Sequence, residues 1–150
     1  MVGLFEVAKQ RVTMTSLTAP RLRKTPYFTL PYDRELLVSV LTHECVHALS
    51  NAFYSYPISP RIHAQEEYIA YAAQLATMDP GKLQQVLARY AAGRWTFSSE
   101  SSINDLVHAA MPHGFDVMSY RHFMGPEGGR AFLERIYSGD FKPIDLSDLH

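Results

Sequence analysis

Apolar and polar positions change period once along this chain. In the first 30 residues, "GLFEVA" and "RVTMTSL" are rich in Val, Phe and Thr, and Val12, Met14 and Ser16 alternate with Thr13, Thr15 and Leu17. A period of two is the mark of a strand, so a short hairpin or edge strand is expected, with an irregular arm packed by its aromatics as the other reading. A Pro-containing loop follows through "TAPRLRKTPYFTLP".

After Pro31 the pattern turns helical and stays so. Asp33 is an N-cap for "RELLVSVLTHECVHALSNAF", because a short side chain there can accept from the free N–H groups of the first turn. Leu37, Leu41, Cys45 and Leu49 recur every fourth position and are expected to form the stripe that faces the core. On that reading Cys45 is a small buried hydrophobe rather than a nucleophile. Ser59 and Pro60 offer a cap and a first helical position for "RIHAQEEYIAYAAQLATM", and Asp79 and Pro80 repeat the device for "GKLQQVLARYAA", closed by Gly93. Further helices are expected near Ile103–Met111, Gly114–Phe123 and Glu127–Tyr137, the last before Gly139. The end, "DFKPIDLSDLH", reads as a tail held through Phe141 and Ile144.

The fold class that follows is α+β and mostly helical. Linkers are short and no repeat is visible, so 1–150 reads as a single domain. Its parts are an arm over 1–32, two helices over 33–78, C-terminal helices over 79–138 and a tail over 139–150. Composition agrees, with 47% apolar and 19% charged residues, well outside the range of disordered chains.

A net charge of -1, with basic residues scattered apart from "RLRK", argues against nucleic acid or an anionic membrane as partner. The single cysteine excludes an intrachain disulfide framework. No signal peptide or membrane-spanning run is visible, so the expected location is cytoplasmic, or exported if a leader is missing from the N-terminus.

Chemistry enters with "LTHECVHAL". His43 and His47 lie four apart on one helical face, close enough for both rings to reach one ion. Glu44 is rotated about 100° from His43, beside that face, where a carboxylate can accept a proton from an activated water. The pattern is H-E-x-x-H, in which zinc acidifies a water and the glutamate serves as general base. A catalytic zinc needs a third protein ligand and an open position. The metzincin extension fails, because Ser50 and Phe53 stand where it wants glycine and histidine. Glu66 and Glu67 on the next helix follow a span long enough to turn and return antiparallel, and either could supply the third ligand.

The segments "HECVHAL" and "EEYIAYAAQ" resemble the gluzincin branch of the zincin metallopeptidases, in which a glutamate on the following helix completes the site. Glu67 with Ala70 is similar to that family's E-x-x-A motif, whereas Glu66 would put Ile69 at the alanine position. The resemblance covers about Val40 to Ala76. It implies one Zn2+ per chain, held by His43, His47 and Glu67, with Glu44 as base, a peptide or protein substrate, and a minimal zincin-like domain whose N-terminal strand aligns that substrate. The segments "INDLVHAAMPHGFDVMSYRHF" and "GGRAFLERIYSG" also resemble parts of a family of small bacterial zincins with no known substrate.

Two departures accompany it. Tyr71 stands where thermolysin-like members place an acidic residue that orients a metal-bound histidine, and the chain has no room for their large second subdomain. For the donor that an acyl-transfer oxyanion requires, Tyr120 or His122 in "SYRHF" are the candidates, with His108 and His113 upstream. The expected function is a zinc-dependent peptidase. A catalytically silent zinc-binding or protein-interaction domain is the alternative, and a helical structural protein with two ordinary histidines is the third reading.

Overall fold

The computed structural model describes residues 3–18, 28, 30–53, 63–90 and 94–141, with the backbone alone at Phe53 and His113. The expected start of the second helix at Ser59 and Pro60, the "RLRK" loop, the stop at Gly93 and the tail beyond Phe141 lie outside the described residues. Strands β1 (Gly3–Glu6) and β2 (Arg11–Met14) form the N-terminal hairpin, joined by a 3-10 turn over Val7–Lys9. They pair antiparallel, Gly3 opposite Met14 and Phe5 opposite Val12. Helices α1 (Arg34–Phe53), α2 (His63–Ala76), α3 (Pro80–Arg89), α4 (Asp105–Ala110), α5 (Pro112–Met124) and α6 (Gly129–Ser138) complete a mostly helical α+β fold.

Local chemistry starts and stops these helices where the sequence marks them. Asp33 accepts from the backbone N–H of Leu36 at 3.0 Å, and its carboxylate also pairs with Lys82 on α3. Asp79 accepts from Lys82 N–H at 3.0 Å with Pro80 in the first turn, and Gly139 closes α6 at φ 79°, a left-handed conformation that glycine adopts without strain. Two boundaries move inward. Asn104 accepts from Val107 N–H at 3.0 Å and so leaves the buried Ile103 outside α4. Tyr90 ends α3 early, because its ring packs on Trp95 at 5.1 Å and its carbonyl accepts from Arg121.

Helices α1 and α2 run antiparallel. Gln74, late in α2, donates to Ser39, early in α1, at 3.5 Å, while Glu67, early in α2, meets His43 and His47, later in α1. The other face of α2 packs on α5, with the Tyr68 hydroxyl 2.8 Å from His122 Nδ1. One apolar cluster gathers Tyr68, Ile103, Phe115, Phe132, Ile136 and Phe141. A second gathers Phe28, Leu30, Leu36, Leu75, Val86 and Val117. No helix among the described residues is long and apolar enough to cross a membrane.

The face of α1 that enters the core is not the expected one. Leu41, Cys45 and Leu49 are exposed and Leu37 is half-buried, whereas Leu36, Ser39, Val40, His43 and Glu44 are buried. Cys45 is therefore not a core hydrophobe. Positions four apart drift about 40° per step around a helix, and α1 carries apolar residues on every side. Tertiary contact with α2 and the hairpin decides the face.

The two leucines discriminate between the faces. Leu36→Ala is expected to lower unfolding free energy by about 2–5 kcal/mol, and Leu49→Ala, at an exposed position, by no more than about 0.5 kcal/mol, both read from urea denaturation. Equal losses at both sites would restore the original stripe.

Candidate functional site

Three elements meet at a cleft of about 390 Å³. Helix α1 contributes Val40, His43, Glu44, His47 and Asn51, α2 contributes His63, Glu66, Glu67 and Tyr71, and Gly3 to Phe5 of β1 with Val7 form the remaining wall. The α1 residues recur at helical spacing, so one face of one helix delivers both imidazoles and the adjacent carboxylate.

His43 Nε2 lies 3.1 Å from His47 Nε2 and 3.5 Å from Glu67 Oε2, and His47 Nε2 lies 3.5 Å from Glu67 Oε1. The two imidazole nitrogens are 3.1 Å apart and each meets a different Glu67 oxygen at 3.5 Å, so the carboxylate straddles the pair, close to the edge of about 3.4 Å between ligands of a tetrahedral ion with bonds of 2.0–2.1 Å. These residues are the one group among the described residues whose donor atoms converge closely enough to hold a metal. Two imidazole nitrogens and a carboxylate are a donor set that divalent transition metals take. Of the two glutamates left open by spacing, Glu67 meets both histidines.

The electrostatics favour ligation. Burial pulls the His47 imidazole down to about 4, against the attraction of Glu67 and with the help of His43, so it is neutral and has a free lone pair at neutral pH. Burial works to raise Glu67, but the hydrogen bond from His43 and the surrounding imidazoles more than offset it and hold the carboxyl below its usual range. Glu44 goes the other way, raised chiefly by burial despite His43 and a hydrogen bond from the Phe5 backbone N–H.

That last contact ties the hairpin to the site. A Cβ built on Gly3 would lie 2.6 Å from Glu44 Oε1 and 2.7 Å from its Cγ. Only glycine allows β1 to lie this close against the carboxyl group. Tyr71, one turn after Glu67, packs its ring on His43 at 4.6 Å between centroids. His43 Nδ1 is buried with no hydrogen-bond partner among the described residues, so ring packing, rather than a carboxylate, orients this histidine.

The expected oxyanion donors are not brought to the cleft. His122 is turned into the first core, its Nδ1 against the Tyr68 hydroxyl and its ring 4.7 Å from Phe132. Tyr120 packs on the second core. The cause is α5, whose contact with α2 was not readable from its sequence. His108 packs on Phe115 at 4.9 Å and on His63 at 5.4 Å outside the lining, and the side chain of His113 lies outside the described residues. Sequence reasoning overlooked His63 and Asn51. Each stands four residues from a ligand, Glu67 and His47, and that spacing was the available signal. His63 is exposed at the cleft, with Nδ1 3.9 Å from Glu67 Oε1.

The chain belongs to the Family of unknown function (DUF6639), whose model matches residues 1–145. No curated protein and no solved structure matches it.

The folded, metal-free chain refuses a proton at His47 that the unfolded chain accepts between about pH 6.5 and about 4, so stability is expected to fall as pH drops through that window. The contribution is on the order of 3 kcal/mol, and the lowered Glu67 carboxyl adds a loss of the same sign below its usual range. Urea unfolding of metal-free protein at several pH values checks this. His47→Leu should lose that contribution, and a His47→Leu profile with the same pH dependence as wild type contradicts the assignment, the opposite contribution of carboxyls raised by burial such as Glu44 being common to both.

Proposed function

We propose that the chain is a zinc-dependent hydrolase acting on peptide bonds, with His43, His47 and Glu67 as metal ligands and Glu44 as general base. The observation that carries this reading is the convergence of His43 Nε2 and His47 Nε2, 3.1 Å apart, on the two oxygens of Glu67 at 3.5 Å each, with an unligated, buried carboxylate, Glu44, lining the same cleft. When bound, zinc supplies Lewis acidity and acidifies a water to near neutral pH.

The chain's own residues supply the remaining steps. Glu44 takes a proton at its carboxylate and returns it to the leaving amine, and burial raises its proton affinity in the direction such a shuttle needs. The Phe5 N–H and the close backbone at Gly3 fix where that carboxylate points. Among the described residues strand β1 pairs with β2 alone, and its residues Gly3 to Phe5 line the cleft, where an extended peptide can add as a further strand. Leu4, Phe5, Val7 and Val40 give that wall an apolar surface. His63, exposed at the cleft, is the side chain positioned to donate to an oxyanion.

One observation favours a second reading, a metal-binding domain without turnover. Neither Tyr120 nor His122 lines the cleft, which leaves His63 and Asn51 as the replacement donors among the described lining side chains other than the ligands and Tyr71.

Metal analysis of purified protein is expected to give about one zinc per chain, lost in His47→Ala. Glu44→Gln should retain zinc and cleave a peptide library at least about 100-fold more slowly than wild type. Zinc-loaded wild type that cleaves nothing leaves the second reading in place. A metal-free protein that cannot be reconstituted ends both.

A further inference from the structure

We propose that Glu66 is a recognition residue for an organic cation, so that the cleft selects substrates carrying an ammonium or guanidinium group close to the bond held at the metal. The proposal rests on the metal-site reading above and extends it to the class of substrate.

Among the described lining residues are three carboxylates, Glu44, Glu66 and Glu67, and no lysine or arginine. Two of the three are engaged. Glu67 faces both ligating imidazoles, and Glu44 accepts from the Phe5 amide beneath Gly3. A divalent ion at the triangle balances these two charges. Glu66 is the carboxylate left over.

Its position explains why it is left over. Consecutive residues on a helix are rotated by about 100°, so while Glu67 turns to the histidines Glu66 turns aside, still lining the cleft. It is half-buried, and among the described residues it is attracted by the exposed His63 imidazole but held by no hydrogen bond or ion pair. A carboxylate that has lost part of its water and gained no partner is destabilising until a cation or donor arrives. The neighbouring wall of Leu4, Phe5, Val7 and Val40 is apolar, so the complementary ligand is a positive group attached to an apolar body. An amino-terminal ammonium and a lysine or arginine side chain both supply that chemistry.

Hydroxamates, which chelate zinc independently of Glu66, test the inference without requiring turnover. Binding of norleucine, lysine, N-acetyl-norleucine and N-acetyl-lysine hydroxamates to zinc-loaded wild-type protein is measured by calorimetry. At least one cationic probe should bind about two- to fivefold more tightly than neutral N-acetyl-norleucine hydroxamate, the gain expected for a half-exposed ion pair. A gain with free norleucine assigns the subsite to an amino terminus, and a gain with N-acetyl-lysine assigns it to a side chain. In Glu66→Gln the ratio should fall to about one, while Glu66→Asp retains part of it. A wild-type ratio near one, or a preference that survives in Glu66→Gln, overturns the proposal while tight neutral binding still upholds the metal site. If no hydroxamate binds, the metal-site reading falls and the cation subsite falls with it.

Discussion

The packing of α1 against α2 brings two buried or half-buried imidazoles within 3.5 Å of a carboxylate, and everything else in the molecule is arranged around that contact. A helix pair would ordinarily fill such a seam with apolar side chains. Here the first half of the seam does so, through Leu36 and Val40 on α1 and Leu75 on α2, while the second half holds His43, Glu44, His47 and Glu67. Burying polar groups is unfavourable unless each finds a partner. The apolar clusters on either side of α2 offset that penalty, and the Gln74 to Ser39 bond pins the register of the two helices near their far end.

The hairpin answers a second constraint imposed by the same seam. Glu44 is turned about 100° from His43, so it leaves α1 on the side away from the ligand pair's axis and needs its own cover. Strand β1 provides it. Phe5 lends an amide, and Gly3 lies so close that a methyl group would meet the carboxyl at 2.6 Å. A two-stranded hairpin is marginal alone, so its packing on α1 stabilises the hairpin as much as it shields the glutamate.

Much of this was legible in sequence. Caps are local chemistry, and Asp33, Asp79 with Pro80, Asn104 and Gly139 act within a turn of themselves. Asn104 shifts a boundary because its side chain competes for a backbone N–H that periodicity cannot see. The meeting of His43 and His47 with a glutamate of the next helix was legible from helical spacing, while the choice of Glu67 over Glu66 came from the family resemblance. The burial of α1 was not legible. Its apolar positions surround the helix, so the exposed Leu41, Cys45 and Leu49 looked as eligible for the core as Leu36 and Val40. A polar patch at the site also breaks the pattern that would have revealed the true face. Tyr120 and His122 were misplaced for a related reason, since which side of α5 meets α2 depends on non-local contacts, of His122 with Tyr68 and of Phe115 with Tyr71.

Tyr71 shows how a ring can stand in for a charged partner and what changes when it does. A histidine that ligates through Nε2 must carry its proton on Nδ1, where a carboxylate or carbonyl usually accepts it and strengthens the ligand. His43 has an aromatic face at 4.6 Å and a buried Nδ1 without a partner among the described residues. Packing therefore fixes the ring's direction, while its tautomer answers to the two groups that face Nε2, the His47 nitrogen at 3.1 Å and the Glu67 carboxylate at 3.5 Å. A bound ion would need both Nε2 lone pairs, and the Nδ1 proton that His43 would then carry meets no acceptor among the described residues, at a cost of about 1–3 kcal/mol for an unmet buried donor. On the proposed reading, the aromatic substitution makes the metal weaker-held and its histidine less basic than a carboxylate-supported pair would allow, and the burden of charge compensation passes to Glu67.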